Sequence, residues 1–269
     1  MGNFNLDTDE EKEWYSIKSD RSSEHLGDCL ELMPLIAYES IDMILCDLPY
    51  GTTACKWDTI IPFDKLWEQY ERIIKQNGAI VLFGSEPFSS YLRMSNIKNY
   101  RYDWIWNKNK GANPLLSNRM PMKSHETISI FYNKLPLYNP QFTEGKPYKA
   151  PRTGGTITNN FIKSNEKASF KQKDSNGKRH PLTIIDFSIH CGSKIHPTQK
   201  PVALFEYLIK TYTNEGDLVL DNCAGSGTTA IACLETNRKY IVIEKEEEYY
   251  KKGLKRINEW KSDKKGKLF

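Results

Sequence analysis

Apolar runs with the lengths of buried strands alternate with amphipathic segments along the first half of the chain. Residues 41–46, IDMILC, predict a strand, and AIVLF at 79–83 predicts another. The hydrophobic positions of residues 64–76 repeat at helical spacing and predict a helix between these two strands. WIWNK at 104–108 and HETISIFY at 125–132 add two further strand candidates.

The same alternation returns near the C-terminus. Residues 202–212 predict a helix, GDLVLD at 216–221 a strand, and residues 224–236 a loop that enters a second helix. KYIVIE at 239–244 predicts a strand, and a highly charged helix follows from Glu246. Strands that alternate with helices indicate an α/β domain in which helices cover both faces of a mostly parallel sheet.

Residues 134–195 lack this pattern, because they are rich in Gly, Pro, Asn, Ser and Lys. The stretch is too long for an ordinary connection, which indicates an inserted functional region or a partly disordered basic loop. Residues 101–200 hold 17 Lys and Arg against 6 Asp and Glu, a net charge of +11, whereas the rest of the chain carries −7. This asymmetry is typical of a polyanion-binding insertion, although a solvated basic face has the same composition.

Several classes of protein are excluded by the N-terminus, the hydropathy and the cysteines. No stretch reaches the roughly 18 apolar residues that a membrane helix needs. The first residues are polar and lack the apolar segment of a signal peptide, so we expect a cytoplasmic protein in which residues 1–22 form a mobile arm. The six cysteines form no CxxC pair and the five histidines add no matching ligands, which predicts no bound metal.

A strand, a glycine-containing loop and a helix follow one another in LVLDNCAGSGTTAIAC. Asp221 closes the predicted strand, and Gly225 and Gly227 allow a tight turn with close backbone approach to a ligand. Glu244 ends the next strand, where its carboxylate can accept hydrogen bonds from ribose hydroxyls. A dinucleotide fingerprint would continue to a third glycine, but Ala230 stands there, which favours a nucleoside cofactor without a pyrophosphate, such as S-adenosylmethionine.

The tetrapeptide Asp47-Leu48-Pro49-Tyr50 follows directly on the strand predicted at 41–46. The exocyclic amino group of a base is a poor nucleophile because its lone pair is delocalised into the ring. A carboxylate and a backbone carbonyl that both accept hydrogen bonds from it shift the nitrogen towards a nucleophilic state, and an aromatic ring can stack on the flipped-out base. The tetrapeptide supplies these three groups, although the same residues also occur in ordinary turns.

Three motifs, DLPYG at 47–51, HPTQKP at 196–201 and DNCAGSGTT at 221–229, occur in this order in the beta group of DNA amino-methyltransferases, which the chain resembles over roughly residues 24–258. The resemblance implies a Rossmann-like methyltransferase fold with a mostly parallel seven-stranded sheet and a circularly permuted motif order. The family's usual loop is D-P-P-Y, so Leu48 departs from it. The role carried over to that position is a backbone carbonyl, which leucine also has.

The resemblance divides the chain into a catalytic half at 23–133, a basic target-recognition insertion at 134–195 and a cofactor-binding half at 196–269. It implies S-adenosylmethionine as the cofactor and the amino group of a base in double-stranded DNA as the substrate. Asp rather than Ser at position 47 favours adenine over cytosine. A cytosine N-4 enzyme, an enzyme that methylates RNA or a protein amide, and a catalytically silent nucleic-acid-binding protein are the alternatives. A homodimer, a cognate restriction endonuclease and a bacterial or phage origin are expectations from the family alone.

The family also implies site residues. The catalytic residues are Asp47, Leu48, Pro49 and Tyr50. Lys200, at a predicted helix start, is expected to pair with the cofactor carboxylate or to face solvent. Asp28 is expected to contact the cofactor adenosine or to cap a helix. The cofactor-binding residues are Asp28, Asp47, Thr198, Gln199, Lys200, Pro201, Asp221, Asn222, Ala224, Gly225, Ser226, Gly227, Thr228, Thr229 and Glu244. The candidate DNA contacts are Lys108, Lys110, Arg119, Lys149, Arg152, Lys178 and Arg179. Trp104 and Trp106 either flank the base pocket or belong to the core.

Overall fold

The computed structural model describes residues 17–53, 55, 58–149, 176–189 and 199–266. The chain divides into two compact units, the first formed by residues 1–139 and 183–269 and the second by residues 140–182. Arg152 and Thr198, predicted to contact DNA and the cofactor, lie outside the described residues.

Ten strands and six α-helices make up the described part of the chain. The strands are β1 (Ser23–Leu26), β2 (Ile41–Cys46), β3 (Ile74–Gly84), β4 (Tyr100–Ala112), β5 (Lys123–Phe131), β6 (Thr143–Glu144), β7 (Lys178–Arg179), β8 (Ile184–Asp186), β9 (Leu218–Asp221) and β10 (Lys239–Glu244). The helices are α1 (Cys29–Leu32), α2 (Phe63–Ile73), α3 (Phe88–Ser95), α4 (Val202–Tyr212), α5 (Thr228–Glu235) and α6 (Glu247–Gly266). Two 3-10 turns, Met33–Leu35 and Pro114–Leu116, complete the elements. Among the described helices, none has the length and apolar character needed to cross a membrane.

Eight strands of the first unit form one sheet in the order β1–β10–β9–β2–β3–β5–β4–β8. β5 alone runs antiparallel to its neighbours, so the mostly parallel α/β fold is confirmed. The expected number of strands, seven, is wrong by one. A further strand is β8, which lies within the 134–195 stretch and pairs with Ile105–Asn107 of β4. It has only three residues, of which Ile185 alone is buried, so it is too short to give a strand pattern in the sequence.

Alternating side chains of the central strands build one core on each face of the sheet. Met43 and Leu45 of β2 belong to the core that α4 and α5 cover, while Ile44 and Cys46 belong to the core on the face covered by α2 and α3. Because both faces are buried, the central strands are apolar at nearly every position. Full burial of each such aliphatic side chain contributes roughly 1.5–3 kcal/mol to folding.

Trp104 and Trp106 belong to the core under α4, with 3% and 2% of their surfaces exposed. The Trp104 indole N–H donates to the hydroxyl of Tyr212 at 2.7 Å, and the Trp106 indole N–H donates to the Phe187 carbonyl at 2.7 Å. Both indoles therefore satisfy their polar atom inside the core. Trp106 also reaches the cavity described below.

β3 begins earlier than its apolar run predicts. The helix α2 ends at Ile73, three residues before its predicted end, and the strand starts directly at Ile74. Gly78 lies inside the strand, where an added Cβ would come within 2.9 Å of the Asp42 carbonyl of β2. The glycine therefore allows β3 to pack closely against β2.

Part of the predicted N-terminal arm packs on the first unit. Ile17 is buried, and its backbone N–H donates to the Leu35 carbonyl at 3.0 Å. The Ser22 hydroxyl accepts a hydrogen bond from the Tyr240 backbone N–H at 3.2 Å. Residues 17–22 of the predicted arm therefore belong to the folded first unit, and residues 1–16 lie outside the described residues.

The described part of the second unit contains the two-residue strands β6 and β7, which pair antiparallel. The Arg179 guanidinium lies 4.6 Å from the centre of the Tyr148 ring and donates to the Lys146 carbonyl at 2.6 Å. Phe142 packs edge-on against His180. These aromatic and cationic contacts hold a small unit that has few aliphatic side chains to bury.

Replacing Tyr212 with phenylalanine is expected to destabilise the first unit. The buried Tyr212 hydroxyl accepts from the Trp104 indole and shares a hydrogen bond of 2.8 Å with the Tyr102 hydroxyl. Without it, the buried indole N–H loses its acceptor, so Tyr212→Phe should lower the free energy of unfolding in urea by about 1–3 kcal/mol. Tyr91→Phe, at a side chain that is 64% exposed, is the control and should leave the free energy unchanged. An unchanged Tyr212→Phe would contradict the role given to this hydroxyl.

Candidate active site

A cavity of about 500 Å³ lies at the carboxyl ends of β2, β9 and β10. Parallel strands place the loops that follow them at one edge of a sheet, where α/β proteins bind their ligands. The predicted site residues that line this cavity are Asp28, Asp47, Leu48, Pro49, Tyr50, Gln199, Lys200, Asp221, Asn222, Ala224, Gly225, Ser226, Thr228 and Glu244. The two halves of the chain thus contribute to one site.

Three predicted cofactor residues lie next to lining residues in the chain but do not line the cavity themselves. Pro201 is buried directly before α4, and Gly227 precedes α5 in the left-handed conformation with φ 72°. Thr229 is fully buried, and its hydroxyl donates to the Asp221 carboxylate.

The loop between β9 and α5 depends on its two glycines. Gly225 and Gly227 have φ values of 52° and 72°, which L side chains rarely adopt. The Gly225 backbone N–H donates to the Glu244 carboxylate at 2.6 Å, while the Arg256 guanidinium donates to the Ser226 carbonyl at 3.1 Å. The loop is therefore held by β10 on one side and by α6 on the other. Burial raises the pKa of Glu244 above its ordinary value, although backbone N–H groups oppose the rise.

The end of β9 is fixed by buried polar contacts. The Asp221 carboxylate accepts from the Cys223 backbone N–H at 3.0 Å, and burial raises the pKa of Asp221 to about 6. The Asn222 side-chain oxygen accepts from the Tyr70 hydroxyl of α2 at 2.5 Å. These contacts orient the backbone that enters the glycine loop.

Asp28 caps α1, as its sequence position predicts. Its carboxylate accepts from the Leu30 backbone N–H at 2.8 Å and from the Lys245 ammonium at 3.0 Å. Burial raises the pKa of Asp28, but these two donors outweigh burial and hold it below its ordinary value. Because Asp28 also lines the cavity, capping leaves it near any ligand there.

The tetrapeptide 47–50 follows directly after β2, and its four residues line the cavity. The Tyr50 hydroxyl donates to Asp47 Oδ1 at 2.7 Å, and the Tyr50 ring stacks on Phe88 with ring centres 5.0 Å apart. Asp58 holds the following loop by accepting from the backbone N–H groups of Gly51, Thr52 and Thr53 at 2.7–2.9 Å. The position of Tyr50 is thus set by packing as well as by its hydrogen bond.

Asp47 of the tetrapeptide and three further charged side chains form a network of ion pairs. The buried Lys200 ammonium lies 2.5 Å from Asp47 Oδ2 and 3.4 Å from Glu126 Oε2. Lys108 donates to the other oxygen of Glu126. Lys200 also lies 5.4 Å from the centre of the Phe83 ring. Two ammonium groups thus balance two carboxylates.

The pKa values of Asp47, Lys200 and Glu126 are all shifted within this network. Burial raises the pKa of Asp47, and Glu126 adds to the rise while Lys200 opposes it. Burial lowers the pKa of Lys200, but Asp47 and Glu126 outweigh burial and raise it overall. Burial likewise raises the pKa of Glu126, yet Lys200 and Lys108 bring it below its ordinary value.

The sequence prediction omitted Glu126 and Asp58, both of which line the cavity. Glu126 is the carboxylate that directly precedes the alternating run TISIF of β5, and this acidic residue at the entrance to a buried strand segment is the signal that could have identified it. Lys108, predicted to contact DNA, faces Glu126 within the cavity, whereas Lys110, Arg119, Lys149 and Lys178 are exposed.

Comparison with known proteins identifies the family. A family model described as DNA methylase matches residues 41–255. The chain is 30% identical over 250 residues to the Type II methyltransferase M.HpaI of Haemophilus parainfluenzae, covering 86% of this chain and 73% of the relative. It is 29% identical over 267 residues to the Type II methyltransferase M2.LlaDCHI of Lactococcus lactis subsp. cremoris, covering 86% of this chain and 87% of the relative.

Solved structures agree with this result. The M1.HpyAVI–SAM complex superposes with a TM-score of 0.58 at 25% identity, covering 88% of this chain and 98% of the other. The cytosine-N4-specific PvuII DNA methyltransferase superposes with a TM-score of 0.64 at 17% identity, covering 89% and 91%, and shows the common fold. With the family match spanning most of the chain and the expected motifs meeting in one cavity, the protein belongs to the N6/N4 family of DNA methylases.

Proposed function

We propose that the protein transfers a methyl group from S-adenosylmethionine to the N-6 amino group of adenine in double-stranded DNA. The observation that carries this proposal is the position of Asp47 and Leu48 in the same cavity as the glycine loop and Glu244. Two groups that can accept hydrogen bonds from an amino group, the Asp47 carboxylate and the Leu48 carbonyl, thus lie in the same cavity as a loop that can bind a nucleoside.

The cavity fits the cofactor in size and in donor chemistry. Its volume of about 500 Å³ is within the range of small-molecule sites. Glu244 presents a carboxylate for ribose hydroxyls, and the glycine loop allows close approach of the backbone. Asp28 and Gln199 line the same space. When bound, S-adenosylmethionine supplies an electrophilic methyl group on a sulfonium.

The tetrapeptide activates the amino group. The amino hydrogens donate to the Asp47 carboxylate and to the Leu48 carbonyl, which draws the nitrogen lone pair out of conjugation with the ring. S-adenosylmethionine held by the glycine loop and Glu244 would supply the methyl group to this nitrogen, and the Asp47 carboxylate would accept the proton that the methylated nitrogen releases. No covalent bond to the enzyme is needed. The base leaves the DNA stack to reach Asp47 and Leu48. It then stacks on the ring of Tyr50, which Phe88 supports from its other side.

Identification of the product tests the choice of adenine. Mixed-sequence duplex DNA is incubated with the protein and labelled S-adenosylmethionine and then digested to nucleosides. We expect the label in N-6-methyladenine. Label in N-4-methylcytosine would overturn the choice of adenine, and DNA without label would overturn the proposed substrate.

Asp47→Asn should abolish transfer without preventing folding. The amide keeps the size of the side chain but replaces one acceptor oxygen by a donor, so single-turnover transfer should fall by about 100-fold or more. Binding of S-adenosylmethionine, measured by calorimetry, should change by only a few-fold. The matched control is Asp64→Asn at an exposed carboxylate in the first turn of α2, which should transfer at the wild-type rate. Transfer by Asp47→Asn at the wild-type rate would contradict the mechanism.

Glu244→Gln should weaken cofactor binding. Loss of a charged acceptor for ribose hydroxyls removes hydrogen bonds of about 1.5–3 kcal/mol, which corresponds to roughly 10- to 100-fold in the dissociation constant. Calorimetry with S-adenosylmethionine gives this constant directly. Glu248→Gln, which removes an exposed carboxylate paired with Lys252, should leave it unchanged. Equal affinities of Glu244→Gln and the wild type would remove Glu244 from the cofactor site.

DNA contact by the basic 134–195 segment is part of the proposal. Exposed Lys149 and Lys178 are candidates for phosphate contacts, whereas Arg179 already donates within its own unit. If Lys178 contacts a phosphate, Lys178→Ala should reduce the slope of log affinity against log salt by about one. Lys255→Ala on α6 is the control and should keep the wild-type slope. An unaltered slope for Lys178→Ala would exclude this contact.

A further inference from the structure

Both oxygens of the Asp47 carboxylate already receive a hydrogen bond from the protein. The Tyr50 hydroxyl donates to Oδ1 at 2.7 Å, and the Lys200 ammonium donates to Oδ2 at 2.5 Å. Each carboxylate oxygen can accept a second hydrogen bond, so a target amino group can donate to Asp47 either beside these donors or in place of one of them. Replacement at Oδ2 would take the acceptor away from Lys200. Lys200 is 7% exposed, and a buried ammonium that loses its partner is strongly destabilising. The ammonium therefore needs a second acceptor within reach.

Glu126 provides this acceptor. Its Oε2 lies 3.4 Å from the Lys200 nitrogen, and among the described residues this buried oxygen accepts no hydrogen bond. The other oxygen, Oε1, accepts a hydrogen bond from the Lys108 ammonium. Lys200 is thus ion-paired with Oε2 without donating to it, and a closer approach would add a hydrogen bond to a charged group worth about 1.5–3 kcal/mol.

The surroundings of Lys200 permit a short displacement. The ammonium lies 5.4 Å and 5.8 Å from the ring centres of Phe83 and Tyr50, and cation–π attraction of this kind does not fix one donor direction. Glu126 sits opposite Trp106 in the β4–β5 pairing, so its backbone is anchored in the sheet. An exchange between the two carboxylates would therefore move the lysine ammonium and leave the Glu126 backbone in place.

We propose that Glu126 is a positioning residue that receives the Lys200 ammonium when the target amino group takes Asp47 Oδ2. This inference rests on the proposed function. The exchange moves hydrogen bonds only, and no covalent bond forms or breaks. The ammonium stays between the two carboxylates throughout, so the charge of the cavity is constant. In the resting site Lys200 donates its hydrogen bond to Asp47 and lies 3.4 Å from Glu126, and in the reacting site it donates to Glu126.

A merely structural role for Glu126, such as neutralising Lys108, makes a different prediction. In that case Glu126→Gln would act independently of Lys200. If Glu126 acts through Lys200, its replacement should matter only while the ammonium is present. A double-mutant cycle separates the two possibilities.

The experiment compares the wild type, Glu126→Gln, Lys200→Met and the double variant in single-turnover transfer to duplex DNA at pH 8. We expect Glu126→Gln to lower the transfer rate at least tenfold, with the KM values for DNA and S-adenosylmethionine within twofold of the wild type. In the Lys200→Met background, the same replacement should leave the rate unchanged or raise it, since it removes a negative charge near Asp47. Glu206→Gln, which removes a carboxylate 3.2 Å from Lys210 on α4, is the matched control and should keep the wild-type rate.

An equal fractional loss from Glu126→Gln in both backgrounds would overturn the proposal, and so would a wild-type rate for Glu126→Gln. Melting temperature and cofactor binding are measured for each variant, and Glu126→Ala replaces Glu126→Gln if the glutamine variant fails to fold. A wild-type protein that transfers no methyl group would overturn the proposed function and this inference together. If the wild type is active but the effects of the two replacements are additive, only the inference about Glu126 is overturned.

Discussion

The parallel pairing of β2 with β9 is the constraint on which the site depends. It joins two strands that are far apart in sequence through Met43–Val219 and Ile44–Leu220, so Asp47 and Asp221 emerge at the same sheet edge. β10 continues the parallel order next to β9 and brings Glu244 to that edge. The permuted order of the motifs is therefore compatible with one cavity, because pairing of the strands and not their order in the chain determines which loops meet.

Charge within this cavity is arranged in two zones. On the side of the glycine loop, Glu244 and Asp28 accept backbone N–H groups that also fix their own elements. Beside the tetrapeptide, the carboxylates of Asp47 and Glu126 share the Lys200 ammonium. Because Lys200 is buried, water screens its charge less, and it affects the pKa of Asp47 more strongly than an exposed lysine would. Of the two expectations for Lys200, a solvent-facing side chain is wrong, because the ammonium is buried and donates to Asp47. Pairing with the cofactor carboxylate stays a prediction.

The sequence predicts those parts of the fold that are set by local pattern. The strands 41–46 and 239–244 and the helix 202–212 have the predicted bounds, since each is a continuous apolar or helical-period segment. β8 and the early start of β3 could not be predicted in this way, because both follow from pairing with neighbouring strands. The same limit applies to the site. Motifs identify residues that are close in sequence, but Glu126 joins Asp47 and Lys200 only through the order of the sheet.

The most direct test of this account is a crystal structure of the protein with its DNA site and a cofactor analogue that has no transferable methyl group. The distance to measure joins the amino nitrogen of the target base to the Asp47 carboxylate. We expect a hydrogen bond of about 2.7–3.2 Å from that nitrogen to Asp47, a second to the Leu48 carbonyl, and the Lys200 ammonium on Glu126. A base whose amino group lies beyond reach of Asp47, with Lys200 still on that carboxylate, would contradict the account.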